Sequence, residues 1–301
     1  MMNLRILLLV ILMTGCHKND PAENNNPENG TYTKSIAVNG KVREYLIHIP
    51  NAYDGTQSVP IMLNFHGWNM SANDQMNVSD MRALSESEQF ILVYPQGSLF
   101  YGSTHWNVGS WTTGSSSNDI GFIGDLIIEI TNNYNIDENR IYACGYSNGG
   151  FFSQELACQF SDKIAAIGAV AANMSERTKN TCNPTHPTPI ITISGTNDTV
   201  VQYDGSEPEG TISHSETINY WIDFNNTDTS AVITNLPNSS ATDGSSVNLF
   251  QYFNGDNNVE IEHYKVINGG HGWPGVLGNM DINSNFIIWN FVSQFDINGK
   301  I

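Results

Sequence analysis

Three residues distant in the chain could together carry out nucleophilic chemistry: Ser147, Asp198 and His271. Ser147 stands in Gly145-Tyr146-Ser147-Asn148-Gly149-Gly150, directly after the β-branched and aromatic run Arg140–Cys144. A Gly-x-Ser-x-Gly at a strand-to-helix junction is the sequence form of a nucleophile elbow. Small residues let the backbone bend where other side chains would collide. Asp198 follows the run Ile190–Asn197, and His271 sits in the Gly-rich stretch Asn268–Gly275. A serine hydroxyl is a weak nucleophile until an imidazole removes its proton. The imidazole in turn needs a carboxylate to fix its tautomer and balance its charge. Ser, then Asp, then His is one of the chain orders in which such a triad occurs.

Alternatives exist for each position. Ser147 could instead cap the following helix. Asp204, in Gln202-Tyr203-Asp204-Gly205, could supply the carboxylate and leave Asp198 as a turn residue. His263 competes with His271, although Glu260–Tyr264 alternates like a partly exposed strand. The tetrahedral intermediate needs two donors for its oxyanion. The backbone N–H groups of Asn148 and Trp68 are the candidates, the second in the loop Phe65-His66-Gly67-Trp68, which could also be a simple tight turn. His66, Trp106, Trp111 and Trp273 are candidate substrate-binding residues, since aromatic faces suit a phenolic acid or a sugar ring. Core packing is the alternative for each tryptophan.

The elements that must position these groups follow from patterning. Thr33–Val38 and Val42–Ile49 read as a hairpin about Asn39-Gly40, a strong turn signal. Pro60–Phe65 and Phe90–Tyr94 are short apolar runs that read as buried strands, with helical character over 75–88 between them. Pro95–Asn118 is a long Gly/Ser/Thr/Asn-rich segment, and loops of that length inside a compact domain are usually functional or disordered. A helix is predicted from Asp119 with Ile123, Leu126, Ile127, Ile130 and Tyr134 on one face. Strands over Arg140–Tyr146, Ile164–Ala172, Pro189–Ser194, Val247–Phe253 and Val259–Val266 alternate with helices over Gly149–Phe160, near Glu216–Phe224 and over Asn283–Phe295. The alternation predicts an α/β fold, a mostly parallel central sheet with helices on both faces, as a three-layer sandwich. On such a sheet, reactive groups gather beyond the C-terminal strand ends. The three candidate residues follow three such ends.

Composition narrows the chemistry. With 301 residues, 40% of them hydrophobic, the chain suits one large domain, read here over 32–301. Its net charge of −18, with only 12 Lys and Arg, excludes nucleic acid as a partner and argues against a strongly anionic substrate. The N-terminus, Met-Met-Asn-Leu-Arg followed by the apolar run Ile6–Met13, reads as a secretory signal over 1–15. Leu12-Met13-Thr14-Gly15-Cys16 resembles a bacterial lipobox, which implies acylation of Cys16; ordinary secretion with Cys16 removed is the alternative. Residues 16–31 then form a flexible tether rich in Asn, Pro, Asp and Glu. The expected location is therefore exported, anchored in an outer membrane by lipid at Cys16 or else secreted. Membrane contact is expected only through that anchor, and the protein as a monomer. An oxidising compartment favours a Cys158–Cys182 disulfide, leaving Cys144 reduced as a small buried hydrophobe. No cysteine or histidine spacing suits a metal, and no cofactor is expected.

An ordered set of motifs goes further. His66-Gly67, Tyr94-Pro95-Gln96-Gly97, Trp106-Asn107, Asp119–Ile123, Arg140-Ile141-Tyr142, Gly145–Gly150, Gly195–Asp198, Val201-Gln202-Tyr203 and Gly270–Gly275 run through residues 33–296. Together they resemble the polyhydroxybutyrate depolymerase-like esterases, the group that includes feruloyl and acetylxylan esterases of carbohydrate esterase family 1, on the α/β-hydrolase fold. The resemblance implies Ser147 as nucleophile, Asp198 as orienting acid, His271 as general base, and oxyanion donors at Asn148 and in the His66–Trp68 loop. It also supports the Cys158–Cys182 pairing. The expected substrate is a feruloyl or acetyl ester on plant polysaccharide. Hydroxybutyrate oligomers or general short-chain esters are the alternative, and a non-catalytic glycan-binding surface lipoprotein is the rival of another class.

Overall fold

The computed structural model describes residues 29–206 and 210–301. The signal segment, Cys16 and the tether up to residue 28 lie outside the described residues.

In chain order, β1 (Gly30–Val38) and β2 (Lys41–Ile49) precede β3 (Val59–Phe65), α1 (Ala72–Val78), α2 (Arg82–Glu88) and β4 (Ile91–Pro95). The small hairpin β5 (Ser98–Phe100) and β6 (Ser103–His105) leads to α3 (Asp119–Asn133), β7 (Ile136–Tyr146) and α4 (Asn148–Gln159). Then come β8 (Ala166–Val170), α5 (Glu176–Thr181), β9 (Ile190–Gly195), α6 (His214–Asn225) and β10 (Val232–Asn235). The chain closes with β11 (Ser246–Tyr252), β12 (Ile261–Ile267), α7 (Ser284–Val292), β13 (Phe295–Asp296) and β14 (Gly299–Lys300).

Ten strands form one sheet in the order β1-β2-β4-β3-β7-β8-β9-β12-β11-β10. The six central strands from β4 to β12 are parallel to one another, and antiparallel pairs close both edges. Strands β3, β4, β8 and β9 are buried on both faces, which is why they read as continuous apolar runs, whereas β12 alternates. Their side chains divide between two cores. Ile61, Leu63, Ile91, Val93, Ile141 and Ala143 enter one core with α3, α4 and α6. Met62, Leu92, Tyr94, Tyr142 and Cys144 enter the other with α7. The expected three-layer α/β fold is the observed one.

Helix α3 shows what holds the layers. It contains two glycines and many β-branched isoleucines, so its intrinsic propensity is poor. Phe122, Ile123, Leu126, Ile127 and Ile130 are buried, and at about 2 kcal/mol each their transfer from water outweighs that deficit.

Some boundaries differ from expectation. β1 starts at Gly30, within the last two residues expected for the tether. The helical stretch over 75–88 is two short helices, parted at Ser79–Met81. The loop over 95–118 is not structureless: it holds the β5–β6 hairpin and a short 3-10 turn at Ser110–Thr112. Strand β10 went unread because all four of its residues are exposed, so nothing in it alternates. The Cys158–Cys182 disulfide is present, tying the end of α4 to the end of α5, and Cys144 is free and buried.

Candidate active site

The strand β7 ends at Tyr146, and the chain reverses sharply at Ser147, whose φ of 53° and ψ of −120° lie outside ordinary strand or helix space. Holding a non-glycine residue there costs roughly 1–3 kcal/mol and requires surrounding structure to enforce it. The Ser147 N–H donates to Val170 O at 2.9 Å, and Phe151 N–H donates to Ser147 O at 3.0 Å. Glycine makes the turn possible: a Cβ on Gly149 would stand 2.2 Å from Phe65 O. The Ser147 side chain makes no capping hydrogen bond to α4, so the helix-cap alternative does not describe it. Its position is instead in the wall of a cavity.

Asp198 lies in the turn after β9. One carboxylate oxygen accepts the N–H groups of Val200 and Val201, each at 2.8 Å, and the other accepts His271 Nδ1 at 2.7 Å. With the Nδ1 proton committed to a carboxylate, a neutral imidazole presents Nε2 as its lone-pair nitrogen. The loop bearing His271 is fixed to the end of β9: Asn197 N–H donates to Gly269 O at 2.8 Å and Asn268 N–H to Thr196 Oγ1 at 2.9 Å. Tyr146, which precedes the nucleophile, packs its ring 5.0 Å from that of His271 and donates its hydroxyl to His271 O at 3.2 Å. The imidazole thus sits against the residue next to Ser147. The competitors are placed elsewhere. Asp204 is exposed. His263 is buried in a cluster with Thr192 (3.0 Å), Tyr203 (2.8 Å) and the stacked ring of His214 (3.7 Å), where burial holds its pKa far below the usual imidazole value.

The cavity beside Ser147 has a volume of about 180 Å³. Ser147 and Asn148 line it with Trp68, Val200, Val201 and Thr211, and with Trp111 and Phe151, whose ring centroids are 4.9 Å apart. Asn148 opens α4, where a backbone amide has no acceptor within the helix. Its side chain is clamped to the backbone of Trp106, accepting from N at 2.7 Å and donating to O at 3.2 Å. The other expected donor loop also borders the cavity through Trp68. A Cβ on Gly67 would lie 3.4 Å from Ser147 Cβ, which places that backbone in van der Waals range of the elbow.

Three expected substrate-binding residues are buried and do not line this cavity. His66 is fully buried, its Nδ1 bonded to Gly67 O at 2.7 Å and its Nε2 accepting Gly97 N–H at 2.9 Å. Burial lowers its pKa to about 4, and with both ring nitrogens bonded to backbone it braces the loop. Trp106 is buried, stacked on Phe152 at 4.9 Å, and donates Nε1 to His66 O at 2.9 Å. Trp273 is buried and donates Nε1 to Asn285 Oδ1 at 2.9 Å. Trp111 does line the cavity. Sequence reasoning missed Phe151, Val200, Val201 and Thr211. An apolar pair two residues past Asp198, and a Phe one turn after Ser147, were readable signals; Thr211 carried none. Among the described residues, no cluster of His, Cys, Asp or Glu is placed to hold a metal ion.

No protein-family model matches the chain. Curated relatives do. A bifunctional acetylxylan esterase/xylanase of Neocallimastix patriciarum is 28% identical over 256 residues, covering 85% of this chain and 34% of that protein. Feruloyl esterase B of Piromyces equi is 27% identical over 258 residues, covering 85% and 46%. The chain thus spans less than half the length of either. Among solved structures, an acetyl xylan esterase from Aspergillus awamori superposes with a TM-score of 0.60 at 16% identity, over 87% of this chain and 99% of that one. A CE1 ferulic acid esterase from Anaeromyces mucronatus gives 0.52 at 18% identity, over 92% and 93%. The structural likeness establishes the α/β fold, and in sequence the chain is similar to feruloyl and acetylxylan esterases at under 30% identity.

Proposed function

We propose that the protein is a serine carboxylic ester hydrolase that works through an acyl-enzyme, with feruloyl or acetyl esters of plant polysaccharide as its substrates. The observation that carries this reading is the 2.7 Å bond from His271 Nδ1 to Asp198 beside a strained Ser147 in a cavity wall. His271 Nε2 takes the proton of the Ser147 hydroxyl as its oxygen attacks the ester carbonyl. The carbonyl π pair moves onto oxygen, and the N–H groups of Asn148 and Trp68 receive that charge. Collapse expels the alkoxide, which leaves as alcohol with the proton from His271. Water, deprotonated by the same imidazole, then attacks the acyl-enzyme and releases acid and free Ser147.

Several features support the assignment of substrate class. The cavity is mainly apolar and has room for a single acyl group, with the Trp111–Phe151 wall available to a phenolic ring. Relatives named as feruloyl and acetylxylan esterases cover 85% of the chain. The proposal extends to export, with Cys16 as a lipid anchor, on the strength of the leader motif. The substrate test is a comparison of kcat/KM for methyl ferulate, acetylated xylan and a hydroxybutyrate oligomer. Preference for the first or second is expected; preference for the oligomer would move the enzyme to the polyester reading.

A further inference from the structure

The β5–β6 hairpin carries the most exposed large apolar side chain among the described residues, and it is fastened to the cavity. Tyr101 is 94% exposed and Leu99 71%. Tyr101 occupies the first corner of the two-residue turn at φ 49°, with Gly102 at φ 88°. Such a corner favours Asn or Gly, and a bulky residue there is an outlier of roughly 1–3 kcal/mol. Neither exposure nor backbone preference explains a tyrosine at this position.

The hairpin is rigidly held. Asn69 N–H donates to Thr104 O at 2.8 Å, and the Thr104 hydroxyl donates to Met70 O, which joins β6 to the loop after Gly67. His105 bridges Ser98 O at 2.8 Å and Ser115 Oγ at 2.7 Å. A series of rings then leads outward from the cavity. Trp68, part of the cavity lining, meets Phe100 edge-on at 6.5 Å, and Phe100 meets Tyr101 at 4.4 Å. A space of about 180 Å³ holds an acyl group, so the rest of a larger ester must lie on the rim. An exposed ring face bearing a hydroxyl suits a neutral pyranose, which offers C–H groups on its faces and hydroxyls at its edge. A chain of net charge −18 disfavours an anionic glycan there.

We propose that Tyr101, backed by Phe100 and flanked by Leu99, is a glycan platform: the subsite for the sugar chain from which the ester projects. This rests on the esterase reading and adds the part of the substrate that the cavity leaves outside. The test uses two esters of one acyl group, ferulate or acetate, whichever the wild type turns over faster: a small alkyl or aryl ester and an oligosaccharide ester. Tyr101→Asn relieves the turn, so the variant should fold. It is expected to leave kcat/KM on the small ester within about two-fold and to lower it on the oligosaccharide ester by about three- to ten-fold, through KM. Tyr101→Phe, which keeps the ring, should retain most of the oligosaccharide activity. Equal losses on both esters, or no loss on the oligosaccharide, would overturn the platform. A wild type inert towards both esters would refute the esterase reading instead, so the two failures are distinguishable.

Discussion

Asp198→Asn separates chemistry from architecture at this site. In the native protein one Asp198 oxygen holds the amides of Val200 and Val201, and the other holds His271 Nδ1. An asparagine can keep its single oxygen on the two amides while turning its NH2 toward the imidazole. Nδ1 must then accept, the proton moves to Nε2, and Nε2 can no longer take a proton from Ser147. The expected loss is on the order of 10⁴ in kcat, or about 5.5 kcal/mol of transition-state stabilisation, with KM nearly unchanged. Asp198→Ala differs in a way the geometry specifies. It strands two amides, at roughly 1–3 kcal/mol each if they stay buried, and frees Val200 and Val201, which line the cavity. That variant should therefore raise KM and lower the melting temperature as well. Initial rates on methyl ferulate or p-nitrophenyl acetate, with thermal melts of both variants, make the comparison. An Asp198→Asn enzyme within ten-fold of wild type would refute the reasoning, most directly if Asp204→Asn caused the large loss instead.

Three other outcomes follow from the same contacts. Gly149→Ala places a Cβ 2.2 Å from Phe65 O, so it should cost at least about 1–3 kcal/mol of stability and most of the activity, read by thermal melt and rate. Reducing Cys158–Cys182, which closes a loop of sequence separation 24, should remove about 3 kcal/mol in the chain-entropy account, measured by denaturant titration with and without reductant. Acid should destabilise the protein through His66, whose pKa falls from 6.5 unfolded to about 4 folded. The unfolded chain binds the extra proton between those values, so stability is fully present above pH 6.5 and about 3 kcal/mol is lost as pH falls to 4. Burial lowers His214 and His263 in the same direction, and urea midpoints across pH 4–7 should show the slope.

The candidate residues were easier to place from the sequence than the cavity walls. Ser147, Asp198 and His271 were legible because each follows a strand end and is set among glycines or turn residues, a local signal. Strands β3, β4 and β9 were legible because burial on both faces makes them continuous apolar runs. The tryptophans were not: Trp106, Trp111 and Trp273 look alike in sequence, yet only Trp111 faces the cavity. Trp106 and Trp273 are held inward by their indole N–H bonds. Trp106 reaches His66 O, 40 residues away in the chain, and no local pattern encodes that choice. Val200 and Val201 do double duty: their amides hold Asp198 while their side chains line the cavity.

The central claim is that Ser147 is a nucleophile activated by His271. Its most direct measurement is intact-mass analysis after treatment with a fluorophosphonate. One phosphonyl adduct is expected on the wild type, mapped to Ser147, and none on Ser147→Ala, with the His271→Ala variant labelling far more slowly. A folded wild type that stays unmodified, or a Ser147→Ala variant labelled as fast as the parent, would contradict it.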